Sequence, residues 1–348
     1  MHIAHGTLWK LQSSIIALTM AVIMGAAYAT AIGGRAWVGA VVGLTIGSLI
    51  AALEVVRLGK VGANILRRQG LLPLIGVTTF LWAVIIIGTL HAARYVFGHS
   101  WGATPADHPH STFIQDIAFA FAVGFLVSFV SRLQGLIGTR TLLYYLAGRY
   151  ARPVQEDRTI LILDLADSTA LAERLGALKV QELICQLFFD ISEPITEHGG
   201  EIHNYIGDAV VVTWPTDEAL LNAQCIRCVF AIQELIRRNA ERYAQTYGVI
   251  PEFRGGLHCG TVVVSEVGDT HRAIDYFGDT MNTTARLQQS CKEFGENLMV
   301  SKALISTLEL PQSVEVEAIG EIALEGKTQT VEAFGLHYPQ DKPLWSKR

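Results

Sequence analysis

The stretch TILILDLADST, residues 159–169, sets the reading of the whole chain. Its apolar run brings one carboxylate, Asp164, to the end of what the pattern predicts as a buried strand. Asp167, Ser168 and Thr169 follow, and LAERLG then opens a helix. A strand that ends in Asp and turns at once into a helix offers an anion the free N–H groups and positive dipole end of that helix. The same residues also describe an ordinary helix cap, with Asp164 or Asp167 bonded to the first turn. Both readings stay open for the stretch alone, and its surroundings have to separate them.

Half of the 348 residues are hydrophobic and 17% are charged, giving a mean hydropathy of +0.33. That is too apolar for an ordinary soluble chain of this length. Residues 1–150 carry ten Lys and Arg against three acids, whereas the remainder carries 17 against 29. The split predicts a basic membrane half and an acidic soluble half. The acidity of the second half argues against nucleic acid as a partner, because phosphate binding needs net positive surface. Five cysteines form no disulfide framework. Cys225 and Cys228 lie in CIRCVFAIQELIRR, which reads as one amphipathic helix and lacks a second ligand pair for zinc. The thiols suit a reducing cytoplasm.

Leu11 to Ile32 is free of charge for 22 residues, enough for a helix to cross the hydrocarbon core. Ala36–Leu53, rich in Gly, Leu71–Leu90 and Phe113–Val130 are the second to fourth candidate spans. Together they predict a four-helix transmembrane domain, residues 1–131, in the lipid bilayer of the plasma (inner) membrane. The segment RLGKVGANILRRQG, residues 57–70, and Arg132, Arg140, Arg149 and Arg152 beyond the fourth span place both chain ends in the cytoplasm. Glu54 and Asp116 fall near span ends and read as interfacially solvated acids. Of His91, His99, His108 and His110, only His91 lies near a span, whereas a transmembrane haem needs histidines paired at depth. Short loops leave little room for a large external binder; a lipid, a small hydrophobic ligand or a membrane partner are all open. Residues 132–154 form a connector, with a short amphipathic helix over Thr139–Tyr150 that Pro153 ends.

The soluble domain spans 155–338, with a tail at 339–348. A helix is expected over Leu171–His198, stopped by Gly199-Gly200. EIHNYIGDAVVVTW then reads as a hairpin that places Asp208 at its turn, presented much as Asp164 is. Two carboxylates at the ends of adjacent strands suit a pair of Mg²⁺ ions bridging a triphosphate. A long helix over Glu218–Tyr247 follows, and then a β-rich block containing FRGGLHCGTVVVSEVG, RAIDYFGDTMNTTARLQQSC, LMVSKALI and VEVEAIGEIALEGKTQTVEAFGL. The order β-α-β-β-α-β, extended at its end, predicts an α+β ferredoxin-like palm, an antiparallel sheet backed by helices.

Taken in order, these segments resemble the catalytic domain of class III nucleotidyl cyclases, of the membrane-integral bacterial type, over about residues 155–338. ILDLADST resembles the family's first metal-Asp motif, and HGGEIHNYIGDAVVV the second. DYFGDTMNTTAR resembles the base-selecting and transition-state segment, and LEGKTQTVEAFGL the closing motif. The resemblance implies that Asp164 and Asp208 hold two Mg²⁺ (or Mn²⁺) ions, and that Ser168 and Thr169 head the helix that cradles phosphate. Asp275 would accept from the adenine amino group, beside Asn204. Asn282 would orient the ribose, Arg286 would offset charge at the α-phosphate, and Lys327 would meet the terminal phosphates. The implied enzyme is a membrane-anchored adenylate cyclase that converts ATP to cyclic AMP and pyrophosphate, its sites shared across a homodimer.

The chain departs from the family pattern in three places. Asn204 stands where a purine-reading Lys is usual, Thr261 where many members have Arg, and Glu325 replaces the first Lys of the closing motif. These departures keep two alternatives in play, a guanylate cyclase and a catalytically silent nucleotide-binding membrane receptor. A diguanylate cyclase would need a GG[DE]EF-like turn, which the sequence lacks.

Overall fold

The apolar run around Asp164 forms the central strand of a sheet, β1 (Val154–Leu165), in a computed structural model of the chain. The structure describes residues 5–31, 33, 35–58, 71–97, 109–137, 139–270, 272–310, 314–323 and 330–338. Lys327 and Glu325, the tail 339–348, His99, His108, residues 59–70 and residues 98–108 lie outside the described residues. The chain divides into two compact units, one of Leu8–Ala147 and one that contains Gly148–Arg348.

Helices α1 (His5–Ala31), α2 (Ala36–Leu58), α3 (Leu71–Phe97) and α4 (Pro109–Ile137) stand where the four spans are expected. A short α5 (Thr139–Ala147) follows, ended by Gly148 at φ 61° rather than running on to Tyr150. Among the described residues Ile75–Phe97 is long and apolar enough to cross a membrane, while Leu18–Ala31, Ala36–Ile50 and Ile114–Val130 are shorter apolar stretches. Glycine sets the contact of α1 with α2. A Cβ on Gly25 would lie 2.2 Å from the Gly39 carbonyl, and one on Gly43 2.1 Å from that of Ala21. Only hydrogen fits at such distances, which is how small residues let helix backbones approach. Asp116 is not interfacially solvated: it is fully buried in α4 and accepts a hydrogen bond from the Tyr28 hydroxyl of α1. The hydroxyl gives the carboxylate a partner that bilayer or core would otherwise deny it.

In the second unit the sheet runs β2 (Glu201–Ile206), β3 (Ala209–Pro215), β1, β4 (Phe253–Val267), β6 (Leu298–Ser301), β8 (Thr330–His337), β7 (Glu315–Ala323), and β5 (Ala273–Phe277) pairs with β4. It is antiparallel except at β4–β6, which is parallel, so the sheet is mixed rather than wholly antiparallel as expected. Leu161, Leu163 and Leu165 point to one face and meet Leu183, Leu187 and Ile191 of α7 (Ala177–Glu197) and Ile226, Val229 and Ile232 of α9 (Gln224–Arg238). Cys225 and Cys228 are buried in the same core, where burial pushes both thiols well up from their ordinary range. The stretch Thr216–Arg238 is long and apolar enough for a span, but these buried side chains make it a core element of this unit.

Two expected helices are broken. Gly176 at φ 86° divides α6 (Ser168–Leu175) from α7. The long helix over 218–247 becomes α8 (Thr216–Leu220), a 3₁₀ turn at Leu221–Ala223, α9, and α10 (Ala240–Tyr247). Asn222 and Ala223 are left-handed at φ 53° and 52°, and Asn239 leaves the helical region. The other face of the sheet carries α11 (Asp279–Phe294). A Cβ on Gly256 would lie 2.4 Å from the Thr284 carbonyl, and one on Gly260 2.7 Å from Thr280 Oγ1. Gly256 and Gly260 thus let α11 lie flush on β4. A last short helix, α12 (Lys302–Ile305), follows β6.

Candidate active site

β1 and β3 pair with Asp164 opposite Ala209, so Asp208 comes directly off the hairpin turn, where Gly207 takes φ 63°. The Leu165 N–H donates to the Asp208 carbonyl at 3.3 Å, locking the two strand ends together. The carboxyl groups of Asp164 and Asp208 stand close enough for each to feel the other's charge. Burial and the Asp208 charge push the Asp164 carboxyl up to about 6, against the opposing pull of Gln288 and Arg254. Two converging carboxylates that resist joint ionisation form a hard oxygen donor set, and a divalent cation such as Mg²⁺ or Mn²⁺ relieves their repulsion. The residues therefore fit a metal site.

Cations gather next to this pair. Arg254 lies opposite Asp164 in the β1–β4 register. Its guanidinium is held by Asp167 at 3.2 and 3.3 Å, and Lys292 of α11 lies 3.4 Å from the same carboxylate. Arg254 in particular keeps the Asp167 carboxyl below its ordinary value. Asp167 occupies the cap position of α6 in a left-handed conformation, φ 55°, yet its side chain makes no cap hydrogen bond. The capping reading of Asp167 thus gives way to that of a residue holding two cations. Ser168 and Thr169 open α6, where first-turn N–H groups have no partner within the helix. Ala166, just before this turn, donates its N–H to the Glu252 carbonyl at 2.8 Å and so has none to offer an anion.

A second acidic corner is built around β5. Asp275 Oδ1 accepts from the Tyr276 N–H at 2.8 Å and lies 3.1 Å from His203 Nε2 of β2. The His203 ring meets Tyr276 edge-on with centroids 4.6 Å apart. Arg158, 2% exposed, lies over the Tyr276 ring, donates to Glu156 and has Glu201 at 3.9 Å. These contacts tie β2 to β5 through the start of β1. Asn204 follows His203, and its Oδ1 accepts from the Tyr205 N–H at 2.8 Å.

Asn282 and Arg286 lie four residues apart on α11, on one side of the helix. Asn282 is exposed, and Arg286 Nε donates to the Ala323 carbonyl at 3.2 Å. Gln288, turned about 200° from Arg286 at 3.6 residues per turn, is the α11 residue that reaches Asp164, with Nε2 at 3.2 Å from Oδ2. Within one chain the fold therefore brings Asp164 and Asp208 together but turns Asn282 and Arg286 another way.

Arg254 and Gln288 were not singled out by the sequence, and His203, like His258, reads there as a packed structural histidine. A lone Arg opening the apolar run FRGGLHCG was a usable signal for Arg254. Gln288 and His203 meet their partners only through the packing of α11 on β4 and the approach of β2 to β5. His258 sits in the core, bonded to Ser301 Oγ at 2.7 Å, and burial lowers it to about 4.

The family described as the adenylate and guanylate cyclase catalytic domain matches residues 151–337. Adenylate cyclase 2 of Rhizobium meliloti (strain 1021) is 43% identical over 220 residues, covering 63% of this chain and 61% of the relative. An adenylate cyclase of Anabaena cylindrica is 28% identical over 182 residues, covering 51% and 36%. The chain thus spans less than two thirds of the length of these curated relatives. A solved bacterial light-regulated adenylyl cyclase matches with a TM-score of 0.53 at 17% identity, covering 62% of this chain and 64% of that one, which shows a shared fold. With a central strand that ends at Asp164, a hairpin that sets Asp208 beside it, and a family match across the whole of this sheet, the chain belongs to the class III adenylate and guanylate cyclase catalytic domain family.

Proposed function

We propose that the protein is a membrane-anchored adenylate cyclase that converts ATP to 3′,5′-cyclic AMP and pyrophosphate. The observation that carries this reading is the Asp164–Asp208 pair, two carboxylates driven together at one corner of the sheet with Arg254 and Lys292 at hand. Asp164 and Asp208 would hold two Mg²⁺ or Mn²⁺ ions. Bound there, the cations would acidify the ribose 3′-hydroxyl and neutralise triphosphate charge. The first-turn amides at Ser168 and Thr169 face phosphate as a helix start does. Arg254, released from Asp167, offers a bidentate guanidinium to phosphate oxygens, and Lys327 joins it on the terminal phosphates.

The base is read at the second corner. Asp275 supplies an acceptor for the adenine amino group, and Asn204, whose Oδ1 is engaged by Tyr205, presents its amide as a donor. Asn282 orients the ribose and Arg286 stabilises charge growing at the α-phosphate, an arrangement typically worth a few kcal/mol of barrier. The turn of Asn282 and Arg286 away from the Gln288 side supports a site shared across a homodimer, one chain giving the carboxylates and the other Asp275, Asn282 and Arg286. Exposed Tyr205, Ile206 and Phe277 supply apolar surface for such pairing. Helices α1–α4 cross the inner membrane with both ends in the cytoplasm. Their lengths of 23–29 residues and the outward-facing Phe80, Val84, Phe125 and Leu126 support this.

The test is turnover by the detergent-purified full chain with Mg²⁺ or Mn²⁺, reading cyclic product from ATP and from GTP separately. Cyclic AMP formation that Asp208→Ala abolishes is expected. Full activity in Asp208→Ala, or nucleotide binding without any cyclic product, overturns the reading, and a preference for GTP makes the protein a guanylate cyclase.

A further inference from the structure

His203 carries no role in the reaction as derived so far, yet its geometry at the base-reading corner is specific. Two donors converge on one oxygen of Asp275: the Tyr276 N–H at 2.8 Å and His203 Nε2 at 3.1 Å, both on Oδ1. Oδ2 accepts no hydrogen bond among the described residues, and the Asp275 side chain is 48% exposed. An aspartate with one oxygen pinned has its χ2 fixed, so the direction of the other oxygen is fixed too. His203 is itself held. Its side chain is 14% exposed and rests edge-on against Tyr276, whose ring Arg158 in turn covers.

We propose that His203 is a positioning residue for base selection: its Nε2–H pins Asp275 Oδ1 and thereby aims Oδ2 at the exocyclic amino group of adenine. The inference rests on the adenylate cyclase reading of the site, which it deepens. It also accounts for how the chain manages with Asn204. A neutral amide at that position offers a donor to the base but no charge to steer the neighbouring carboxylate, and the imidazole beside it takes over that task from the strand. Burial holds His203 below its ordinary value while Asp275 pulls the other way, so near neutrality the ring is uncharged. An uncharged ring still carries one N–H, and from Nε2 it donates to Asp275 Oδ1.

Three properties separate this role from simple packing: selectivity, its split between KM and kcat, and rescue by a side chain that keeps the donor. In the full-length protein, His203→Leu keeps bulk and loses the N–H, whereas His203→Gln places an amide N–H near the Nε2 position. The expected result for His203→Leu is a fall of about tenfold in the ATP-over-GTP ratio of kcat/KM, carried mainly by KM for ATP. His203→Gln should stay within about threefold of the parent ratio. An unchanged ratio in His203→Leu, or an equal loss in His203→Gln, overturns the inference. Should His203→Leu not yield folded protein, His203→Asn, whose shorter amide stops short of Asp275, takes its place with the same two outcomes. The parent protein separates this test from that of the function itself. Absent cyclic AMP counts against the adenylate cyclase reading, whereas an ATP preference that survives His203→Leu counts against His203 alone.

Discussion

Asp164 and Asp275 are carboxylates carried by strands of one sheet, and the fold treats them in opposite ways. Asp164 is half-buried and pressed against a second acid, and burial first, then the Asp208 charge, raise its carboxyl to about 6. Asp275 is met by a backbone N–H and an imidazole on one oxygen, while the other accepts no hydrogen bond among the described residues. On the function proposed above, the first corner is completed by cations and the second reads a neutral ligand edge. A carboxylate left electrostatically frustrated marks where charge will be delivered, and one partly satisfied marks where hydrogen-bond geometry is read. The comparison can be broken or sharpened at each of its parts.

The largest effect is expected at the frustrated corner. Asp164→Ala or Asp208→Ala should lower cyclic AMP formation by about 10³-fold or more with little change in expression, because the donor set for both cations is lost. Next come Arg286→Ala and Asn282→Ala, at about 10²-fold in kcat. If the two sets of residues come from different chains, mixing the inactive Asp208→Ala and Arg286→Ala proteins should regenerate activity, because one of the two sites in a mixed dimer is intact. Failure of any mixture to recover turnover would place both sets in one chain's site. Arg254→Ala should cost about tenfold to a hundredfold in kcat/KM through weaker phosphate binding. Asp167→Ala, which frees Arg254, should cost much less.

The smallest effect concerns stability without metal. The Asp164 carboxyl titrates near 6 in the folded protein and near 3.8 as a free side chain, so folding favours its protonated form. Stability that is present at low pH is therefore lost as pH rises from about 4 through about 6. In chelator at pH 7, Asp208→Asn should be more stable than the parent by on the order of 1 kcal/mol after solvent screening, or a few degrees in Tm. The gain should shrink at pH 5, and adding Mg²⁺ should stabilise the parent but not the variant. Thermal unfolding at the two pH values, with and without Mg²⁺, measures this directly.

Much of this was legible in the chain because it depended on local pattern. TILILDLADST specified strand, acid and helix start, and the Gly-Asp turn specified the hairpin that sets Asp208 beside Asp164. Helix breaks were harder to read, since Gly176, Asn222–Ala223 and Asn239 interrupt runs whose apolar periodicity continues across them. Only packing tells a kinked helix from a straight one there. Asp116 misled for a related reason. Its place near the end of an apolar run suggested exposure, but a tyrosine 88 positions earlier in the chain reaches it. Asp167 shows the limit most clearly, because Ser-Thr after Asp is good capping sequence, yet the cations it holds come from β4 and α11.

The grip of Asp167 on Arg254 and Lys292 also has a consequence in units of elementary charge. Asp164, Asp208 and Asp167 set against Arg254 and Lys292 leave this corner with one net negative charge when all three acids are ionised. Two divalent cations and a nucleoside triphosphate bearing four negative charges add nothing to that sum. On the proposed function, loading would therefore be isoelectric, and the potential felt beyond a Debye length of about 10 Å at 0.1 M salt would hardly change as substrate arrives. On that reading, a second chain that approaches this corner meets the same far field whether the site is empty or fully loaded.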